Sequence, residues 1–221
     1  MFRIKGNGSS FPVVFVTILS IMSAGCGGSS STSAISAAQA QAVTGQLSLA
    51  ASEALSSAFG LISRPARGDR PNLAALVEGI QPDLPGCTPT PTGETCDFPV
   101  SFTAACPASG TISVTGDFSG TVNNPGDGSI LSQVTLTPAN CGVSDLVING
   151  DPSVTLGGQI NVTNSGPVYP ITLTEIGAIS YGPSPSDICQ YNVTYTIASP
   201  SCTITGMVCG QPVSLSCQTA P

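Results

Sequence analysis

The chain has 221 residues, only 8% of them charged and 5% aromatic, with no histidine and no tryptophan, and its formal net charge is −7. An apolar share of 41% with so little charge belongs to a chain that folds rather than one that stays disordered. The five basic residues are Arg3, Lys5, Arg64, Arg67 and Arg70, so residues 71–221 hold no cation, and this acidic body argues against nucleic acid as a partner.

Residues 1–10 carry the first two cations, residues 11–22 (FPVVFVTILSIM) are an apolar run, and Ser23, Ala24 and Gly25 are small. That is the three-part layout of a secretory signal over 1–25. As a helix the apolar run rises only about 18–22 Å, short of a hydrocarbon core of roughly 30 Å, so a cleaved signal is a better reading than a permanent span. Met22-Ser23-Ala24-Gly25-Cys26 resembles the lipobox of bacterial lipoproteins, with Ser23 where Leu is usual. The resemblance implies cleavage before Cys26 and acylation, palmitate included, of its thiol and new amino terminus. Several acyl chains anchor stably where one is marginal. Gly27, rather than Asp, follows the cysteine, which in that family implies an outer membrane. Residues 26–33 then form the lipidated cysteine and a Gly/Ser tether.

Residues 34–80 read as a helical segment. Residues 34–63 are rich in alanine, lack proline and repeat apolar residues at helical spacing, with Ile35, Ala38, Ala42, Leu47, Ala51, Leu55, Ala58, Phe59 and Ile62 on one broad face. Gly45 weakens the interior by about 1 kcal/mol relative to Ala and marks a place for a bend. Pro65 and Gly68 end the helix, and Asn72 caps a shorter one over residues 73–77.

Residues 81–221 read as a disulfide-stapled antiparallel β domain. In residues 111–122, Ile112, Val114, Gly116, Phe118, Gly120 and Val122 alternate with Thr, Ser and Asp, giving one apolar and one hydroxylated face. The turn Asn123–Gly128 closes this strand and Ile130–Thr137 returns. Alternation recurs at Val154–Val162, Ile171–Ile179, Tyr191–Ile197, Ile204–Val208 and Val213–Leu215. Around Glu175 the parity slips, since Leu173 and Ile176 are both apolar, and a β-bulge is expected there. Such strands make an antiparallel meander whose apolar face must be covered. Either the sheet curls into a barrel or the Ala-rich helix lies across its concave side. Glycines within strands (Gly116, Gly120, Gly158, Gly177, Gly206) favour a strongly curved sheet packed against the helix. The fold class is therefore mainly β.

Nine cysteines are an odd number for a secreted chain, and lipidating Cys26 leaves eight. Zinc and thioredoxin-like chemistry want C-x-x-C spacing or histidines, and neither occurs, so structural disulfides are expected. Eight cysteines allow about 105 connectivities, and the pairs proposed are provisional. Cys87 and Cys96 bracket a Pro/Thr-rich loop; Cys189 and Cys209 face each other if 190–197 pairs with 203–208; Cys106 with Cys141 would tie the ends of two long strands; Cys202 and Cys217 remain. The placement of Cys106-Pro107, Gly110-Thr111, Asn140-Cys141, Asn149-Gly150 and Gly206-Met207-Val208-Cys209-Gly210 resembles uncharacterised secreted β-rich lipoproteins of proteobacteria, over residues 106–210. That resemblance implies no activity.

The chemistry is defined largely by what is missing. Without histidine there is no Ser-His-Asp triad, no Cys-His pair and no imidazole ligand, and Lys5 leaves with the signal. No P-loop, G-x-G-x-x-G or G-x-S-x-G motif occurs. No catalytic residue, metal site or cofactor is assigned, and the chain reads as a non-enzyme. Asp127, Asp145, Asp151 and Asp187 suit calcium by chemistry but read more simply as solvated turn residues. Arg67-Gly68-Asp69 spells the RGD tripeptide of integrin ligands but also reads as a plain linker. The expected function is a membrane-anchored envelope lipoprotein acting as a structural or binding module, its partner the membrane and any protein partner unnamed. The alternative is a carrier of a small apolar ligand between sheet and helix.

Overall fold

The structure, a computed structural model, describes residues 35–59, 86–123, 126–182, 187–199 and 201–217. The expected signal and tether, Cys26, the RGD tripeptide, Ile62 and the short helix expected after Asn72 lie outside the described residues.

Helix α1 spans Ala37–Ala58. Ser36 starts it with a full capping box: its hydroxyl accepts from the Gln39 N–H, and the Gln39 side chain accepts from the Ser36 N–H. Gly45 sits inside the helix. The buried face differs from the one expected. Ala38 is exposed and Ala42 only half-buried, whereas Thr44, Ser48 and Ser52 are buried among Ala40, Val43, Leu47, Ala51 and Leu55. Three hydroxyls can take inward positions because each donates to the carbonyl four residues back, namely Ala40, Thr44 and Ser48.

Eleven strands form one antiparallel sheet. They are β1 (Cys87–Thr90), β2 (Gly93–Ala105), β3 (Thr111–Asn123), β4 (Gly128–Ala139), β5 (Cys141–Val143), β6 (Leu146–Thr163), β7 (Gly166–Pro167), β8 (Ile171–Gly182), β9 (Asp187–Ala198), β10 (Ser201–Val208) and β11 (Gln211–Ser216). The order is β1-β2-β3-β4-β6-β8-β9-β10-β11, with β5 and β7 as short additions to β6. This is a meander, as the alternation predicts. It does not close into a barrel: β1 and β11 remain its edges. α1 packs against β11 at one end of the sheet and against β2 and β3 near the other, so the sheet wraps around the helix instead of pairing with itself.

Inward residues such as Phe98, Ile112, Phe118, Leu136, Leu156, Ile179, Tyr191, Ile197 and Val208 form a single core with α1. Each large one is worth roughly 1.5–3 kcal/mol of burial, and a one-residue slip would turn a whole strand's set outward. The outer face is ranked with hydroxyls. Thr174, Thr194, Thr205 and Ser214 stand side by side across β8 to β11, and Thr172, Thr196, Thr203 and Ser216 form the next rank. At Gly116, with φ +143°, a β-carbon would collide with the Gln133 carbonyl, so only glycine allows this approach of β3 and β4. Prolines mark the open backbone: Pro99 lies where β1 no longer covers β2, and Pro212 lies on edge strand β11.

The expected bulge at Glu175 is not there. β8 pairs with β9 without a break from Ile171 to Tyr181, and the register shift lies in β6, between Gly150 and Val154. The parity never slips in β8. Glu175 keeps the inward parity of Leu173 and Ile179, and Ile176 points outward, 52% exposed.

Candidate functional site

The misplaced parity leads to the main buried polar cluster. Glu175 on β8 is 0% exposed, beneath α1. Opposite it on β9 stands Val193, flanked by Tyr191 and Tyr195, both fully buried. The Tyr191 hydroxyl donates to Glu175 Oε2 at 2.9 Å. Tyr195 reaches the helix, its hydroxyl 2.8 Å from Ser48 Oγ. Ser48 also donates to the Thr44 carbonyl at 2.7 Å. One carboxyl, two phenols and the helix hydroxyls thus make a chain of polar contacts from the sheet into α1.

Burial pushes the Glu175 carboxyl from an ordinary 4.5 up to about 7, against the opposing pull of the Tyr191 and Tyr195 hydroxyls, which favour its charged form. Burial first, and then the neighbouring carboxylate, raises both phenols well above the ordinary tyrosine value, so both stay neutral. The cluster can hold a proton or release it near neutral pH. Glu175, Tyr191 and Tyr195 are all buried from solvent.

The sequence pattern held one trace of this site. A glutamate on the apolar parity of a strand is itself the signal of an inward carboxyl, and reading it as a slipped register hid it. Thr44 and Ser48 left no trace, because helical spacing alone does not distinguish a back-bonded inward hydroxyl from an exposed one.

Four disulfides join Cys87 to Cys96, Cys106 to Cys141, Cys189 to Cys209 and Cys202 to Cys217. Cys87 and Cys96 are directly opposed in the β1–β2 pair, and Ser201 opposite Ala198 gives the β9–β10 register that faces Cys189 toward Cys209. Of the four acidic residues expected in turns, Asp127 and Asp145 lie in connections, whereas Asp151 lies within β6 and Asp187 opens β9, and they form no common cluster. Asp145 accepts from Gln39 Nε2 at 2.9 Å, a contact that, with its backbone, holds this exposed carboxyl below its ordinary value. Asp127 closes a turn with Asn123. Among the described residues the one trio of potential metal ligands is Cys87, Glu94 and Cys96, and its two sulfurs are bonded to each other.

The outer face carries a shallow hollow of ≈ 630 Å³ around Gly157 and Gly158, lined by Asp117, Leu131, Gln133, Thr135, Thr155 and Gln159. Its lining mixes the exposed Leu131 side chain with the Asp117 carboxylate, two amides and several hydroxyls, so it is neither an apolar seat nor a purely polar one. No family model matches the sequence, and no curated protein or solved structure matches it.

Proposed function

We propose that the protein is a non-enzymatic module of the bacterial cell envelope, held to the outer membrane by lipid on Cys26. The observation that carries this reading is the cysteine count. Four disulfides use all eight cysteines from Cys87 to Cys217, and Cys26, the ninth, is the one left over. Its small-residue setting, after cations and an apolar run, is that of a lipid attachment site. Four disulfides also suit an oxidising, extracytoplasmic setting. The absence of histidine from the sequence and the full burial of Glu175 favour a structural or binding role over catalysis.

The test is a Cys26→Ser precursor expressed beside the wild type in a Gram-negative host with labelled palmitate. The wild type should take up label and fractionate with the outer membrane. The variant should lose both, and a variant that keeps label and membrane association would overturn the reading.

A further inference from the structure

Of the two Glu175 oxygens, Oε2 accepts from Tyr191 and Oε1 has no hydrogen-bond partner. An ionised carboxylate spreads its charge over both oxygens and, when buried, needs several donors or a cation. Beyond the Tyr191 and Tyr195 hydroxyls, the surrounding described elements supply no further donor and no cation. β9 presents Tyr191 and Tyr195 around Val193, and β6 presents Leu156. From α1, the Thr44 and Ser48 hydroxyls donate to the helix carbonyls of Ala40 and Thr44. No Lys, Arg or His occurs among the described residues.

Counting hydroxyl protons makes the cluster directional. Ser48 has one, and it goes to the Thr44 carbonyl, so in the Ser48–Tyr195 contact Tyr195 is the donor. Tyr195 is also the diagonal neighbour of Glu175 across the β8–β9 pair, buried on the same inward face, and its hydroxyl favours the charged form of the carboxyl. It has one proton for two acceptors, Ser48 on the helix and Glu175 on the sheet.

We propose that Glu175 and Tyr195 form a proton-operated latch on α1. With the carboxyl neutral, Tyr195 gives its hydrogen bond to Ser48 and holds the helix. When the carboxyl loses its proton to solvent, Tyr195 turns its hydroxyl to the carboxylate, the link to Ser48 is lost, and α1 loosens from the sheet. No bond other than the carboxyl O–H is broken, and no co-reactant is needed.

The pH dependence has a defined sign. Below the ordinary glutamate value the carboxyl is neutral whether the helix is docked or free, and nothing is lost. Between that value and about 7, the freed carboxyl ionises while the docked one keeps its proton, so docking weakens as pH rises and the loss is complete above about 7.

Hydrogen exchange of the full chain reads this directly. Protection of the α1 amides, expressed relative to β4 and β6 at the same pH, should fall by up to about a hundredfold between roughly pH 5 and pH 9 in the wild type. Glu175→Gln should keep high α1 protection at both ends of the range. Tyr195→Phe should show weakened α1 protection already at the acid end, and its pH-dependent loss should run on to higher pH than in the wild type, because the deleted hydroxyl favours the charged carboxyl. Parallel loss of helix and sheet protection in the wild type would overturn the latch, as would a Glu175→Gln variant that follows the wild-type curve. If Glu175→Gln does not fold, the infrared spectrum of the wild type decides. A protonated-carboxyl band should persist at about pH 6, where ordinary carboxyls are ionised, and fade by about pH 9. Its absence at about pH 6 would overturn the latch.

Discussion

The seat of α1 has two ends with different chemistry. At the carboxyl end Phe59 packs between Phe98 of β2 and Phe118 of β3, with ring centroids 5.2 and 5.3 Å away. Toward the middle, Thr44 and Ser48 lie over Tyr191, Tyr195 and Glu175 of β8 and β9. The aromatic end rests on three rings that carry no titratable group and tolerate a range of angles. The polar end is directional, and each member depends on the proton of the next. One helix is thus fastened by bulk at its carboxyl end and by hydrogen-bond order near its middle.

The largest test of this contrast is Phe118→Ala. Phe118 is fully buried, and its loss should cost about 3–5 kcal/mol, by the same amount at acid and alkaline pH, in urea unfolding followed by circular dichroism. A penalty that varies with pH would mean that the two ends are not separate. Removing the bridge beside β11 with Cys202→Ala and Cys217→Ala, which are 15 residues apart, should cost about 3 kcal/mol and loosen the strand on which α1 rests.

At the polar end, Tyr191→Phe should cost about 1–3 kcal/mol. It deletes a donor that favours the charged carboxyl, so the upper end of the pH range over which stability falls should also move upward, while the lower end, set by the free carboxyl, stays. A stability-against-pH series on the variant would refute this by showing an unmoved range. The smallest effect should come from Ser36→Ala, about 1 kcal/mol through the lost capping box, with no change in pH dependence because the cap lies away from the cluster.

Much of the fold was legible because two-residue alternation is enforced by burial: Ile112, Val114 and Phe118 could lie only on the inner face. Cysteine spacing likewise reflected hairpins, whose register brings Cys87 opposite Cys96. The open edges were not legible, because closure depends on whether the end strands meet, and here α1 occupies both ends. The candidate site was half-legible. Glu175 disturbed the pattern, but the pattern assumes that inward means apolar. That assumption fails where Tyr191 and the cost of an unpaired charge keep a carboxyl neutral. Cys26 was legible from the sequence, and its role rests on the labelling experiment.

The packing of α1 on β11 also fixes an order of events. The helix, Ala37–Ala58, leaves the ribosome before every strand, whereas Gln211–Ser216, against which it rests, follows all the others. Hairpins between neighbouring strands can form early from local contacts, but the interior cannot be sealed until the last strand arrives. Contacts between segments so far apart in sequence make for slow assembly. A chain synthesised only as far as β10 therefore carries an open apolar trough, and the arrival of Gln211–Ser216 governs when that trough disappears.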